Sequence, residues 1–164
     1  MAEPYKIKTD ILAPADKRNI EYTGFHPSRL VKALPDILKD SLKVEGADVF
    51  DPVLKWDVSG DPVSFYGEWL AKYAFDKYSN AEFKIIMQGT QGAKDKIGKI
   101  KIAIKGSVKT EFPYTTFLHK SVFLIYNYAF YNKQRRGYIE AGKIMIDRIE
   151  DEMRSMLSLI KRGG

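Results

Sequence analysis

Between Gln134 and about Lys161, apolar side chains recur at Ile139, Ile146, Ile149, Met153, Met156 and Ile160, with Gly142 in phase. The steps alternate between three and four residues, so these positions form one stripe on a long helix. Immediately upstream, Ser121–Tyr131 is an apolar run that reads as a strand. Earlier segments alternate with period two, the mark of half-buried strands. Phe65, Gly67, Trp69, Ala71, Tyr73 and Phe75 share one face of a strand over Val63–Tyr78. Phe83, Ile85 and Met87 share a face of the next. In the segment Lys99–Thr110, Ile100, Ile102, Ile104 and Val108 point in, while Lys99, Lys101, Lys105 and Lys109 point out.

The remaining elements are shorter. Tyr5–Leu12 forms a first strand, and Asn19–Gly24 extends it or crosses to the next element. His26-Pro27-Ser28 starts a helix, because proline suits a first helical turn. Leu30, Leu34, Ile37, Leu38 and Leu42 give that helix its apolar stripe, to about Val44. Pro35 lies inside it and predicts a kink or two short helices, since it removes a hydrogen bond and crowds the preceding turn. Val49–Ser59 reads as a strand with Leu54, Trp56 and Val58 on one face. The order is a strand, one or two helices, five strands and a long helix. Short turns join the later strands, which predicts an antiparallel meander. The helix stripe must be buried, and a curved sheet face is the partner available. The fold class is α+β, in one domain over residues 1–164.

This order resembles the helix-grip fold of the START-like (SRPBCC) superfamily, in which a curved antiparallel sheet grips a C-terminal helix. The resemblance spans nearly the whole chain and lies in element order, with no shared catalytic motif. It implies a cavity between sheet and helix that binds a small apolar or amphipathic molecule. Trp56, Gly67, Trp69, Tyr73, Phe83, Tyr126, Tyr128 and Ile146 are the expected walls of such a cavity. Tyrosine and tryptophan offer an apolar body with a polar tip, which suits ligand orientation. Glycines within strands mark bulges or close approach, and Gly67, Gly106 and Gly142 fit a bent sheet or a cavity.

Composition narrows the chemistry. Cysteine is absent, which removes disulfides, thiol nucleophiles and thiolate metal sites. The two histidines, His26 and His119, lie far apart, and no pair or triad has metal-ligand or nucleophile–base spacing. Gly89–Lys94 lacks the Gly-Lys-Ser/Thr ending of a phosphate-binding loop. No cofactor is expected. No apolar stretch approaches the ~20 residues of a membrane helix. A soluble, cytoplasmic protein is the expectation.

The net charge of +6 favours phosphate-bearing partners. Its densest expression is the lysine run from Lys94 to Lys109, so Lys99, Lys101 and Lys105 are candidate anion contacts for a nucleic acid or another anionic partner. An outer sheet face protected by lysine explains the same run. Arg135 and Arg136 stand at the start of the long helix, where positive charge opposes the helix dipole, and are candidates for an anionic head group. Three functions follow: an apolar-ligand binder, an anionic-partner module, or a cyclase- or hydrolase-type enzyme whose acid and base no residue pattern identifies. The helix stripe also suits a homodimer interface.

Overall fold

The computed structural model describes residues 5–43, 49–112 and 117–163. The elements are β1 (Tyr5–Asp10), β2 (Arg18–Phe25), α1 (Ser28–Leu42), β3 (Val49–Asp57), β4 (Val63–Ala74), β5 (Ser79–Gln91) and β6 (Ile97–Phe112). They are followed by α2 (Phe117–Tyr126), a π-helical segment (Asn127–Tyr131) and α3 (Asn132–Gly163). All strands pair antiparallel in one open sheet of order β1-β6-β5-β4-β3, with β2 also on β6. β1 pairs from Tyr5 opposite Phe112 to Asp10 opposite Ser107, and β2 resumes with Arg18 opposite Ile104. The two strands are thus one edge row, interrupted by residues 11–17.

Both helices cover the same face. α1 lies over β3, β4 and β5, and α3 crosses β6 and β2 and packs on α1. The alternation of β6 orients the strand as its sequence predicts, with Ile100, Ile102, Ile104 and Val108 buried. Leu30, Leu34, Leu38 and Leu42 of α1 meet Trp69, Phe83, Ile85 and Met87 in a core cluster that also takes in Ile146, Ile149, Met153, Leu157 and Ile160 of α3. Each such side chain contributes about 1.5–3 kcal/mol by leaving water. Ile11, in the interruption between β1 and β2, turns inward to 1% exposure. Its Cδ1 fills the space beside two glycines, within 3.1 Å of where a Cβ on Gly106 would stand and 2.6 Å of one on Gly142. Helix and sheet come together around that one methyl group.

Several expectations are corrected. Ser121–Tyr131 is helical, not a strand, so four strands follow α1 and not five. β6 is flanked by β5 on one side and by β1 and β2 on the other, which leaves a strand after β6 no place beside it. An apolar run that alternates with neither period satisfies a helix as well as a strand. Helical structure thus runs from Phe117 through Gly163 with one π-helical stretch. Of the two outcomes expected at Pro35, α1 takes the single helix, held to the sheet by Leu34 before the proline and Ile37 and Leu38 after it. β4 ends at Ala74, earlier than expected, because Asp76 turns the chain: its Oδ1 accepts the N–H groups of Tyr78 and Ser79. Val44–Gly46, where α1 was expected to end, lies outside the described residues.

Candidate functional site

The outer sheet face carries the lysines. Pairing sets Lys55, Tyr66, Gln88, Lys101 and Glu21 in one row across five strands. The adjacent row holds Asp57, Ser64, Thr90, Lys99 and Thr23. Alternate residues of a strand share a face, so both rows point away from the helices. Ser64, Tyr66, Gln88, Thr90, Lys99 and Lys101 line an open depression of about 380 Å³. A second, of about 510 Å³, shares Thr90 and Lys99 and adds Thr23, Asp61, Lys94 and Asp95. Together they make a trough running to the β5–β6 turn, with ammonium, hydroxyl and amide donors on its floor and the Asp61 and Asp95 carboxylates at its turn end.

Farther along the same face, Lys84 stands opposite Lys105 and Lys8 opposite Lys109. Like charges directly opposite destabilise a sheet. Glu68 lies 3.7 Å from Lys84, and Glu111 lies 3.7 Å from Lys109. The Tyr66 hydroxyl donates to Glu68 at 2.6 Å, which raises the tyrosine pKa.

The residues expected to wall an internal cavity do not surround one space. Trp69, Phe83 and Ile146 are buried in the core. Gly67 lies beneath the six-membered ring of the Trp69 indole. Tyr73 is half-buried, with Phe75 5.2 Å away at its edge. Trp56 stacks at a tilt on Phe65, 5.4 Å away, and is 40% exposed. Tyr126 touches Phe112 at the opposite end of the sheet. In register terms Phe65 lies level with Ile100, so Trp56 and Tyr126 are separated by most of the length of β6, about 40 Å. The side chains of Tyr128 and His119 lie outside the described residues.

The basic candidates divide. Lys99, Lys101, Lys105 and Arg136 are exposed. Arg135 is buried: its Nε donates to Thr110 Oγ1 at 3.1 Å and its guanidinium also reaches Thr9 Oγ1. It therefore faces the sheet and not an external anion.

Arg135 belongs to a polar cluster that sequence patterning did not single out. The Tyr131 hydroxyl, 2.7 Å from both Ser79 Oγ and Asp76 Oδ2, donates to the carboxylate. Ser79 Oγ and Thr110 Oγ1 are also 2.7 Å apart, and Tyr138 donates to Asp76 Oδ2 at 2.7 Å. Rings enclose the cluster: Phe75 stacks on Tyr138 at 4.5 Å, and Tyr78 and Phe112 meet Tyr131 edge-on. Burial pushes the Asp76 carboxyl up, but two tyrosine hydroxyls and two backbone N–H groups outweigh it and hold it below the usual carboxylate range. Burial, and then the neighbouring Asp76, drive the Tyr131 phenol strongly upward, and Tyr138 moves the same way. An ionised carboxylate held by two neutral phenols makes this a clasp between the β4–β5 turn and the start of α3.

Among the described residues, no group of three His, Cys, Asp or Glu side chains is placed to hold a metal ion. No helix there is long and apolar enough to cross a membrane.

No family model and no curated protein matches the chain. Among solved structures, the Staphylococcus aureus protein of unknown function SA2116 is 11% identical over 96% of each chain, with a TM-score of 0.32. Ara h 8.0201 is 16% identical over 85% of this chain and 97% of that chain, with a TM-score of 0.21. Neither likeness bears on function.

Proposed function

We propose that this chain is a non-catalytic binding module that holds a phosphate-bearing strand, a single-stranded nucleic acid, against the outer sheet face. The observation that supports this is the trough: Lys99 and Lys101 stand in adjacent rows with Tyr66, Gln88, Thr90, Ser64 and Thr23 beside them. Lysines two residues apart along a strand repeat at about 7 Å, a spacing that follows a phosphate backbone. Tyr66, half-exposed on the same floor, offers a ring for a base to stack on. The test is fluorescence anisotropy with labelled single-stranded RNA and DNA across a salt series. Binding should weaken steeply with salt and fall about tenfold or more in Lys99→Glu/Lys101→Glu. Binding unaffected by that double reversal would overturn the reading.

A second reading is favoured by the edge of the inner face. Leu54 and Trp56 of β3 point toward the helix side, yet are 42% and 40% exposed, and Val58 just beyond is 74% exposed. A small amphipathic molecule seated along this strip beside Phe65 would cover them. This is the kind of ligand that the START-like resemblance implies. Native mass spectrometry of freshly purified protein tests it. A discrete excess of a few hundred daltons, lost in Trp56→Ala, supports the reading, and a clean apo mass after incubation with cellular lipid extract counts against it.

A further inference from the structure

The helical stretch ahead of α3 is apolar where it meets solvent. Val122 and Ile125 are 57% and 67% exposed, and Ala129 is exposed with them. Their spacing of three and then four residues puts them on one helical stripe. Phe130, 72% exposed, adds to it, and Leu124, 38% exposed, presents a further apolar side chain on another side of the helix. Tyr126, at the flank of the stripe, meets Phe112 and Tyr131 and so ties the arm to the body of the protein. An exposed apolar stripe of this extent marks an interaction surface.

Charge identifies what covers it. Residues 112–139 contain no aspartate or glutamate, although the chain has 21 acidic residues. The same stretch holds Lys120, Lys133, Arg135 and Arg136. Lys133 and Arg136 are exposed on the turns that follow Phe130. Lys77, also exposed, sits at the root of the arm, with its ammonium 4.8 Å from the ring of Tyr78, which in turn meets Tyr131. A second copy of the chain laid on this stripe would bring two such basic clusters together. An anionic lipid surface complements them.

We propose that α2 and the π-helical segment form an arm that lies in the interface of an anionic bilayer, with Val122, Ile125 and Phe130 among the acyl chains and Lys133, Arg136 and Lys77 at the head groups. The arm, α2 with the π-helical segment, is about 20 Å long, shorter than the ~30 Å hydrocarbon core, so it lies in the interface and does not span it. The arm roots at Phe112, at the opposite end of β6 from Lys99 and Lys101, and does not depend on the outer-face trough.

The test is co-sedimentation of the full chain with vesicles of phosphatidylcholine alone and of phosphatidylcholine mixed with phosphatidylglycerol. Binding to the anionic vesicles alone is expected, with about a tenfold or greater loss in Ile125→Ser/Phe130→Ser. The surface variant Lys133→Glu/Arg136→Glu should lose binding as well. Both variants should keep the parental circular dichroism and thermal midpoint, because every substituted side chain is exposed. Failure to bind anionic vesicles, or binding that survives both pairs of substitutions, would overturn the proposal. So would a dimer in sedimentation velocity that Ile125→Ser/Phe130→Ser converts to monomer, because a second copy would then be the occupant.

Discussion

The indole of Trp69 folds back over Gly67, two residues earlier on the same face of β4, and occupies the volume a side chain there would need. Trp69 is 1% exposed and held from above by the helices, so the ring has no open side to move into. Gly67→Ala is expected to cost about 1–3 kcal/mol by overpacking, read as a lower urea midpoint. Gly60→Ala is the control, since nothing lies within 4 Å of its Cβ position. An unchanged midpoint in Gly67→Ala would show that the indole swings aside.

The Asp76 clasp ties the β4–β5 turn to the π-helical segment through Tyr131 and to α3 through Tyr138. Asp76→Asn weakens the acceptor for both phenols and for two backbone N–H groups. A loss of about 1–3 kcal/mol is expected in chemical denaturation, and Tyr131→Phe should lose a similar amount because Ser79 and Asp76 both surrender a partner. Hydrogen exchange at Tyr78 and Ser79 should quicken in Asp76→Asn, and unchanged exchange there would argue against the clasp.

The same group sets the acid limb of stability. The folded pKa of Asp76 lies below its unfolded value of about 3.9, so its contribution is present above that pH and is lost as pH falls through the folded value. The Tyr131 pKa is raised on folding, so its contribution is complete below about pH 10 and shrinks as pH rises beyond it. Midpoints measured against pH should lose part of the acid limb in Asp76→Asn and part of the alkaline limb in Tyr131→Phe. Parental slopes in both variants would contradict these assignments.

Lys105 faces Lys84 directly across β5 and β6. Lys105→Glu should therefore raise the denaturation midpoint of the free protein slightly while weakening its binding to anionic strands. Two effects of opposite sign separate a face kept basic for binding from one kept basic for folding. A drop in both quantities would point to damage in the sheet.

Much of the fold was legible because its signals are periodic. β6 alternates from Ile100 to Val108, and α3 buries Gly142, Ile146, Ile149, Met153 and Ile160 as their spacing predicts. Leu157 takes the buried place beside a half-buried Met156. The run Ser121–Tyr131 alternates with neither period, so its helical state is not legible in its pattern. The clasp was invisible because the Asp76–Ser79 turn, Thr110 and Tyr131 lie far apart in the chain, and each looks ordinary alone. Arg135 was legible: it precedes Ile139 by four residues and Gly142 by seven, which places it on the buried stripe.

The interrupted row formed by β1 and β2 has a consequence for how the sheet assembles. β4, β5 and β6 are joined by tight turns and can zip together soon after they are made, whereas Arg18 finds its partner only at Ile104 and Tyr5 only at Phe112. Contacts so distant along the chain close slowly. β1 and β2 precede their partner strand by roughly seventy residues or more and are the last to join the sheet, and until they do, one whole edge of its longest strand lies open. An exposed strand edge is a template for pairing with another chain. Exchange of the N-terminal row between copies is the misassembly to which this topology is most exposed.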